Sequence, residues 1–161
     1  MTGITTAIPQ DGDGERVLLA RIAKALSDAN GVRSNGVLLA SAARTATTSS
    51  ANISVGNASG VILYLNVSAA SGTGGIKLRI NAVDQLSGNA VAGYSANTSI
   101  LAVGQVMLAF GKGLGNINNV TASGVGATAT IGFPVPASFR VDVVHSDASS
   151  YTYSLNYETI P

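Results

Sequence analysis

The apolar positions along this chain change their spacing once. Near the N-terminus Leu18, Ile22, Ala25 and Ala29, with Leu19 and Leu26 beside them, recur every three to four residues and form one stripe, the mark of an amphipathic helix. Arg16, Arg21, Lys24 and Asp28 fall mainly off it. Asp13 supplies an N-cap, Glu15 an acid in the first turn and Asn30-Gly31 a stop. The pattern therefore predicts a helix over 15–29. Residues 1–13, with Pro9 and the turn-prone Asp11-Gly12-Asp13-Gly14, read as an arm.

From Val37 onward the period falls to two. Val61, Leu63, Leu65 and Val67 point one way and Ile62, Tyr64 and Asn66 the other, as a half-buried strand requires. Ile76, Leu78 and Ile80 alternate with Lys77, Arg79 and Asn81. The run Ser71-Gly72-Thr73-Gly74-Gly75 between these strands suits a hairpin. Further strands are expected at 37–44, 90–97 and 99–110. Phe139, Val141 and Val143 then alternate with Arg140, Asp142 and Val144, and Tyr151, Tyr153, Leu155 and Tyr157 with Thr152, Ser154, Asn156 and Glu158. Residues 111–132 resist the pattern, being rich in Gly, Asn, Ala and Thr. A structureless stretch of that length is uncommon in a compact domain. It reads as an excursion that packs on a neighbouring subunit, in preference to a weakly specified extra hairpin. The organisation expected is an arm and helix over 1–36, for attachment or oligomerisation, and a β domain over 37–161. The fold class expected is mostly β: an antiparallel β-sandwich, jelly-roll-like, with one N-terminal helix.

Composition sharpens this picture. The 161 residues include no cysteine, so neither a disulfide framework nor a thiolate metal site is available. Charged residues are only 11% and the net charge is +1, too little field to hold a phosphate backbone. A surface so poor in charge favours association. The N-terminal residues have neither the basic nor the apolar run of a signal peptide, and no apolar stretch approaches bilayer length. The expectation is a protein made in the cytoplasm that binds neither nucleic acid nor membrane.

Candidate chemistry is sparse. His145-Ser146-Asp147 with Ser149 and Ser150 has the residue types of a triad. All of them fall in one short turn, where Asp and Ser serve turn geometry. Asp11 to Glu15 opens like a calcium loop, but Arg16 stands where glycine is needed and Ile22 where a bidentate Glu belongs. Gly111-Lys112-Gly113 lacks the Gly-Lys-Ser/Thr ending of a phosphate cradle. No enzyme, cofactor or metal is expected. The sharper candidate is the helix, since an isolated helix of this length is marginal in water and its stripe must dock. Burying Leu18, Leu19, Ile22 and Leu26 at ~1.5–3 kcal/mol each makes them the expected partner-binding residues, against the chain's own sandwich or against another subunit.

Three segments carry a resemblance: Ala40-Ser41-Ala42-Ala43-Arg44-Thr45-Ala46-Thr47; the strand Gly60 to Ser68 running through Ser71–Gly75 into Ile76 to Asp84; and Pro136 to His145 closing with Asp147 to Ser154. Together they resemble small β-sandwich virion structural proteins of tailed bacteriophages, including head decoration or cement proteins. The likeness covers roughly 38–157. Where relatives are expected to carry an aromatic such as Trp before the late strand, this chain has Phe139, and the arm lies outside the shared pattern. The resemblance implies a capsid decoration protein, a homo-oligomer and specifically a trimer, whose partner is the major capsid protein. It would be localised to the virion after assembly in the host bacterial cytoplasm. The alternatives it leaves are a neck, tail or fibre-associated virion protein and, from another class, a carbohydrate-binding adhesion module. For that last reading Tyr64 and the row Tyr151 to Tyr157 supply the aromatics.

Overall fold

The computed structural model describes residues 17–23, 33–96, 99–112, 114, 117–118, 127–132 and 134–161. The chain divides into two units, Met1–Val32 and Arg33–Pro161. In the first, residues 17–23 are helical. The remainder of the expected 15–29 helix, Leu26 included, lies outside the described residues.

The second unit is built from β1 (Asn35–Arg44), β2 (Thr48–Ser49), β3 (Ile53–Ser54), β4 (Gly60–Ala70), β5 (Ile76–Val83), β6 (Ala90–Ser95), β7 (Gly104–Gly111), β8 (Ile117–Asn118), β9 (Ala127–Ile131), β10 (Ser138–His145) and β11 (Tyr151–Ile160). One sheet runs β1-β11-β4-β7-β9-β8, and the other runs β2-β10-β5-β6 with β3 also on β10. If β2 and β3 count as one interrupted strand and the β8–β9 pair is set aside, eight strands remain. The first pairs the eighth, the second the seventh, the third the sixth and the fourth the fifth, all antiparallel. A long hairpin wrapped into two layers gives this order, and it is the jelly roll.

Alternation explains the core. Val61, Leu63, Leu65 and Val67 of β4, Val106, Leu108 and Phe110 of β7, and Tyr151, Tyr153 and Leu155 of β11 turn inward from the first sheet. Ile76, Leu78 and Ile80 of β5 and Phe139, Val141 and Val143 of β10 meet them from the second. Phe110 and Phe139 stand edge to face, with centroids 5.3 Å apart. Aromatic quadrupoles favour that arrangement.

Three strand expectations are corrected. The strand expected over 99–110 starts at Gly104, and Ile100 makes only a single bridge to Ile76. The strand expected over 90–97 ends at Ser95. Within the 111–132 stretch, Ile117–Asn118 and Ala127–Ile131 are strands where a structureless excursion was expected: β8 and β9 pair antiparallel, and β9 lies parallel to β7. Thr128 and Thr130 of β9 are β-branched, which suits a strand.

Two irregularities needed side-chain chemistry that alternation does not reveal. Between β2 and β3 the register against β10 shifts by one residue. There the Ser50 hydroxyl accepts from the Val141 amide at 3.1 Å, while the Ser50 amide donates to the Val141 carbonyl at 2.8 Å. β1 loses register against β11 between Leu39 and Ala42. The Arg44 guanidinium takes up the carbonyls of Ala40, Ala42 and Tyr153 and lies 4.6 Å over the Tyr153 ring. Arg44 thus replaces ladder bonds that the bulge removes.

Candidate interaction surfaces

Every residue of the helical segment 17–23 is exposed. Leu18, Leu19 and Ile22 are 58%, 57% and 47% exposed, and Val17 is 52% exposed. Leu18 and Ile22 stand one turn apart on the described segment. Leu26, the fourth member of the expected stripe, falls outside the described residues.

On the second sheet, Lys77, Arg79 and Asn81 of β5 lie opposite Val144, Asp142 and Arg140 of β10. Parity turns all of them away from the core. Asp142 is nevertheless only 1% exposed, because its neighbours close over it. Its Oδ2 accepts from Arg79 Nη2 at 2.7 Å, Arg79 Nε at 3.1 Å and Asn81 Nδ2 at 2.9 Å, and its Oδ1 accepts from Arg140 Nε at 3.1 Å. Burial by itself pushes this carboxyl up. The bonds from Arg79, Ser49 and Asn81 and the charge of Arg140 outweigh it and hold the group below the usual carboxylate range.

On the first sheet, Tyr64 of β4 faces outward and is 38% exposed. Its hydroxyl donates to Glu158 Oε2 at 3.3 Å, and Arg33 pairs with Glu158 Oε1 at 3.4 Å. Tyr64 and Glu158, with Asn35, Val37 and Asn156, border a depression of about 370 Å³. Burial first, then the Glu158 carboxylate, pushes the Tyr64 hydroxyl above its ordinary value. The tyrosine row expected to be available for sugars is corrected in part: Tyr151 and Tyr153 are fully buried, because their parity on β11 is inward. The Tyr151 hydroxyl is used internally, accepting from the Gly75 amide at 2.9 Å.

At one end of the sandwich the β4–β5 and β10–β11 loops interlock. Ser71 donates to the Ser150 carbonyl through its amide and hydroxyl, and the Ser146 amide donates to the Gly75 carbonyl. A Cβ on Gly72 or Gly74 would overlap Ser149 or Asp147, so the glycines permit close approach. The triad-like residues are spent on this packing. Asp147 Oδ1 accepts from the Ser149 amide at 2.9 Å, His145 Nε2 lies 3.4 Å from the Tyr153 hydroxyl, and His145 Nδ1 is buried without a hydrogen-bond partner. Burial lowers the proton affinity of His145. The Ser149 backbone and Asp147 oppose that, and Arg44 reinforces it. His145 ends the inward row of β10, against Tyr151 and Tyr153.

Gly111, suspected in a phosphate cradle, is needed where β7 meets the start of β4: a Cβ there would stand 2.7 Å from the Ser59 carbonyl. The calcium-like residues 11–15 lie outside the described residues. Among the described residues, no three His, Asp or Glu side chains gather as metal ligands would.

Sequence reasoning missed the Asp142 centre. The available signal was an acid flanked by inward valines on a strand, with two arginines at matching parity, but the cross-strand register that joins them was not legible. Comparison with known proteins adds no identity: no family model and no curated protein matches the chain.

Proposed function

We propose that this chain is a virion structural protein of a tailed bacteriophage, a capsid decoration protein that binds across major capsid subunits as a homotrimer. The observation that carries the reading is the combination of a jelly-roll body, whose interior is given over to packing, with an exposed apolar stripe at Leu18, Leu19 and Ile22. A stripe left at about half exposure is a docking element. The resemblance of 38–157 to decoration proteins supplies the class of partner. The mechanism is non-covalent stapling: several weak contacts per trimer add through effective concentration and hold the expanded shell against internal pressure. No step in it is chemical, and the protein acts without enzyme activity or cofactor.

Purified labelled protein, mixed with heads assembled without it, tests this. Binding should saturate at a fixed copy number in the hundreds per particle, on the order expected for a shell lattice with many equivalent sites, and should raise the temperature at which heads release DNA. Saturation at a handful of copies points instead to a neck, tail or fibre station. No binding to any part of the particle contradicts the reading.

A further inference from the structure

The two outer faces of the sandwich differ in charge. The first sheet pairs its carboxylate, Glu158, with Arg33 and the Tyr64 hydroxyl. The second sheet sets Lys77, Arg79 and Arg140 against the single carboxylate of Asp142, three positive charges against one negative. In a chain whose total excess is one, this is a local concentration of cation.

Asp142 also fixes how those cations are presented. It is buried, yet the side chains of Arg79 and Arg140 remain 39% and 34% exposed. Arg140 commits only Nε to the carboxylate, and Arg79 commits Nε and Nη2. The Nη atoms of Arg140 and Nη1 of Arg79 have no partner among the described residues. Two guanidinium groups are thus held in place with donors left over, and planar forks of this kind match carboxylates. Because they are already immobilised, less rotamer freedom is lost on binding.

We infer that the outer face of the second sheet, centred on Arg79 and Arg140 with Lys77 beside them, binds a protein surface carrying clustered Asp or Glu side chains. A phosphate polymer is the poorer match. Duplex binding draws its strength from many cations spread along the backbone, and this face offers three in a short patch. The inference concerns the chemistry of one face and does not depend on the virion reading.

The test is an NMR titration of the full-length, ¹⁵N-labelled chain at low salt with a Glu-rich peptide, alongside separate titrations with inorganic phosphate and a short DNA duplex. The peptide should produce saturable shifts at the Nε–H groups of Arg79 and Arg140, fading as sodium chloride is raised. Lys77→Gln, which leaves every bond to Asp142 in place, and Arg140→Gln should each weaken peptide binding roughly two- to fivefold. The thermal midpoint of Lys77→Gln should stay at the wild-type value, separating lost binding from lost fold. Shifts of equal size at Arg33 and Arg44, or wild-type affinity in both variants, overturn the inference. Tighter binding of phosphate or DNA at the same two arginines also overturns it, by moving the site to a phosphate ligand.

Discussion

At the scale of single residues, the fold leans on a few polar side chains that bond across strands. Asp142 is the clearest case, a buried carboxylate outside the apolar core whose bonds tie β2, β5 and β10 together. Asp142→Asn keeps the shape but removes the charge that two arginines face. A loss of about 2–3 kcal/mol is expected by chemical denaturation, less than for a fully buried pair because the arginines are partly solvated. The same group and His145 make acid destabilising. His145 holds its proton less tightly folded than unfolded, so stability falls as pH drops below the ordinary value of 6.5, until the folded ring is itself protonated. Asp142, lowered from 3.8, contributes fully above that value and loses its contribution as pH falls through its own lower one. Unfolding followed against pH should therefore show two declines, and His145→Gln should flatten only the upper one.

Among the elements, the long alternating strands were legible in the sequence because parity alone sorts Val61, Leu63, Leu65 and Val67 from Ile62, Tyr64 and Asn66. The elements that escaped were those set by tertiary context. β2 and β3 are two residues each, too short for any periodicity, and they exist through Ser50 and their register on β10. β9 pairs parallel to β7, a non-local pairing that no local pattern announces. Tyr151 and Tyr153 read as candidate ligand aromatics until the second sheet showed which parity of β11 faces the core. The glycine-rich hairpin was legible as a turn, yet its second role, admitting Ser149 and Asp147, appears only when the two loops meet. Gly72 and Gly88 separate these roles. Both have positive φ, at 111° and 71°, but a Cβ meets Ser149 only at Gly72, and nothing lies within 4 Å at Gly88. Gly88→Ala should lose about 1 kcal/mol from backbone strain alone. Gly72→Ala should lose about 2 kcal/mol or more because overlap is added to strain. Denaturant midpoints for the pair give the comparison, and equal losses would refute the loop-packing account.

For the molecule as a whole, the buried apolar core lies in the unit Arg33–Pro161, while Leu18, Leu19 and Ile22 are exposed. Deleting residues 1–30 should leave the circular dichroism and cooperative unfolding of the sandwich intact while lowering its binding to particles. If the truncated protein still coats particles fully, the stripe is not the anchor. On the proposed function, this jelly roll works through the surfaces it offers, on the outside of a phage shell. A reconstruction of the particle decides the matter. Two-layered β density should repeat over the capsid lattice, in threefold clusters spanning neighbouring capsid subunits. A shell free of such density, with the chain at a few copies elsewhere or absent from the particle, overturns the proposal.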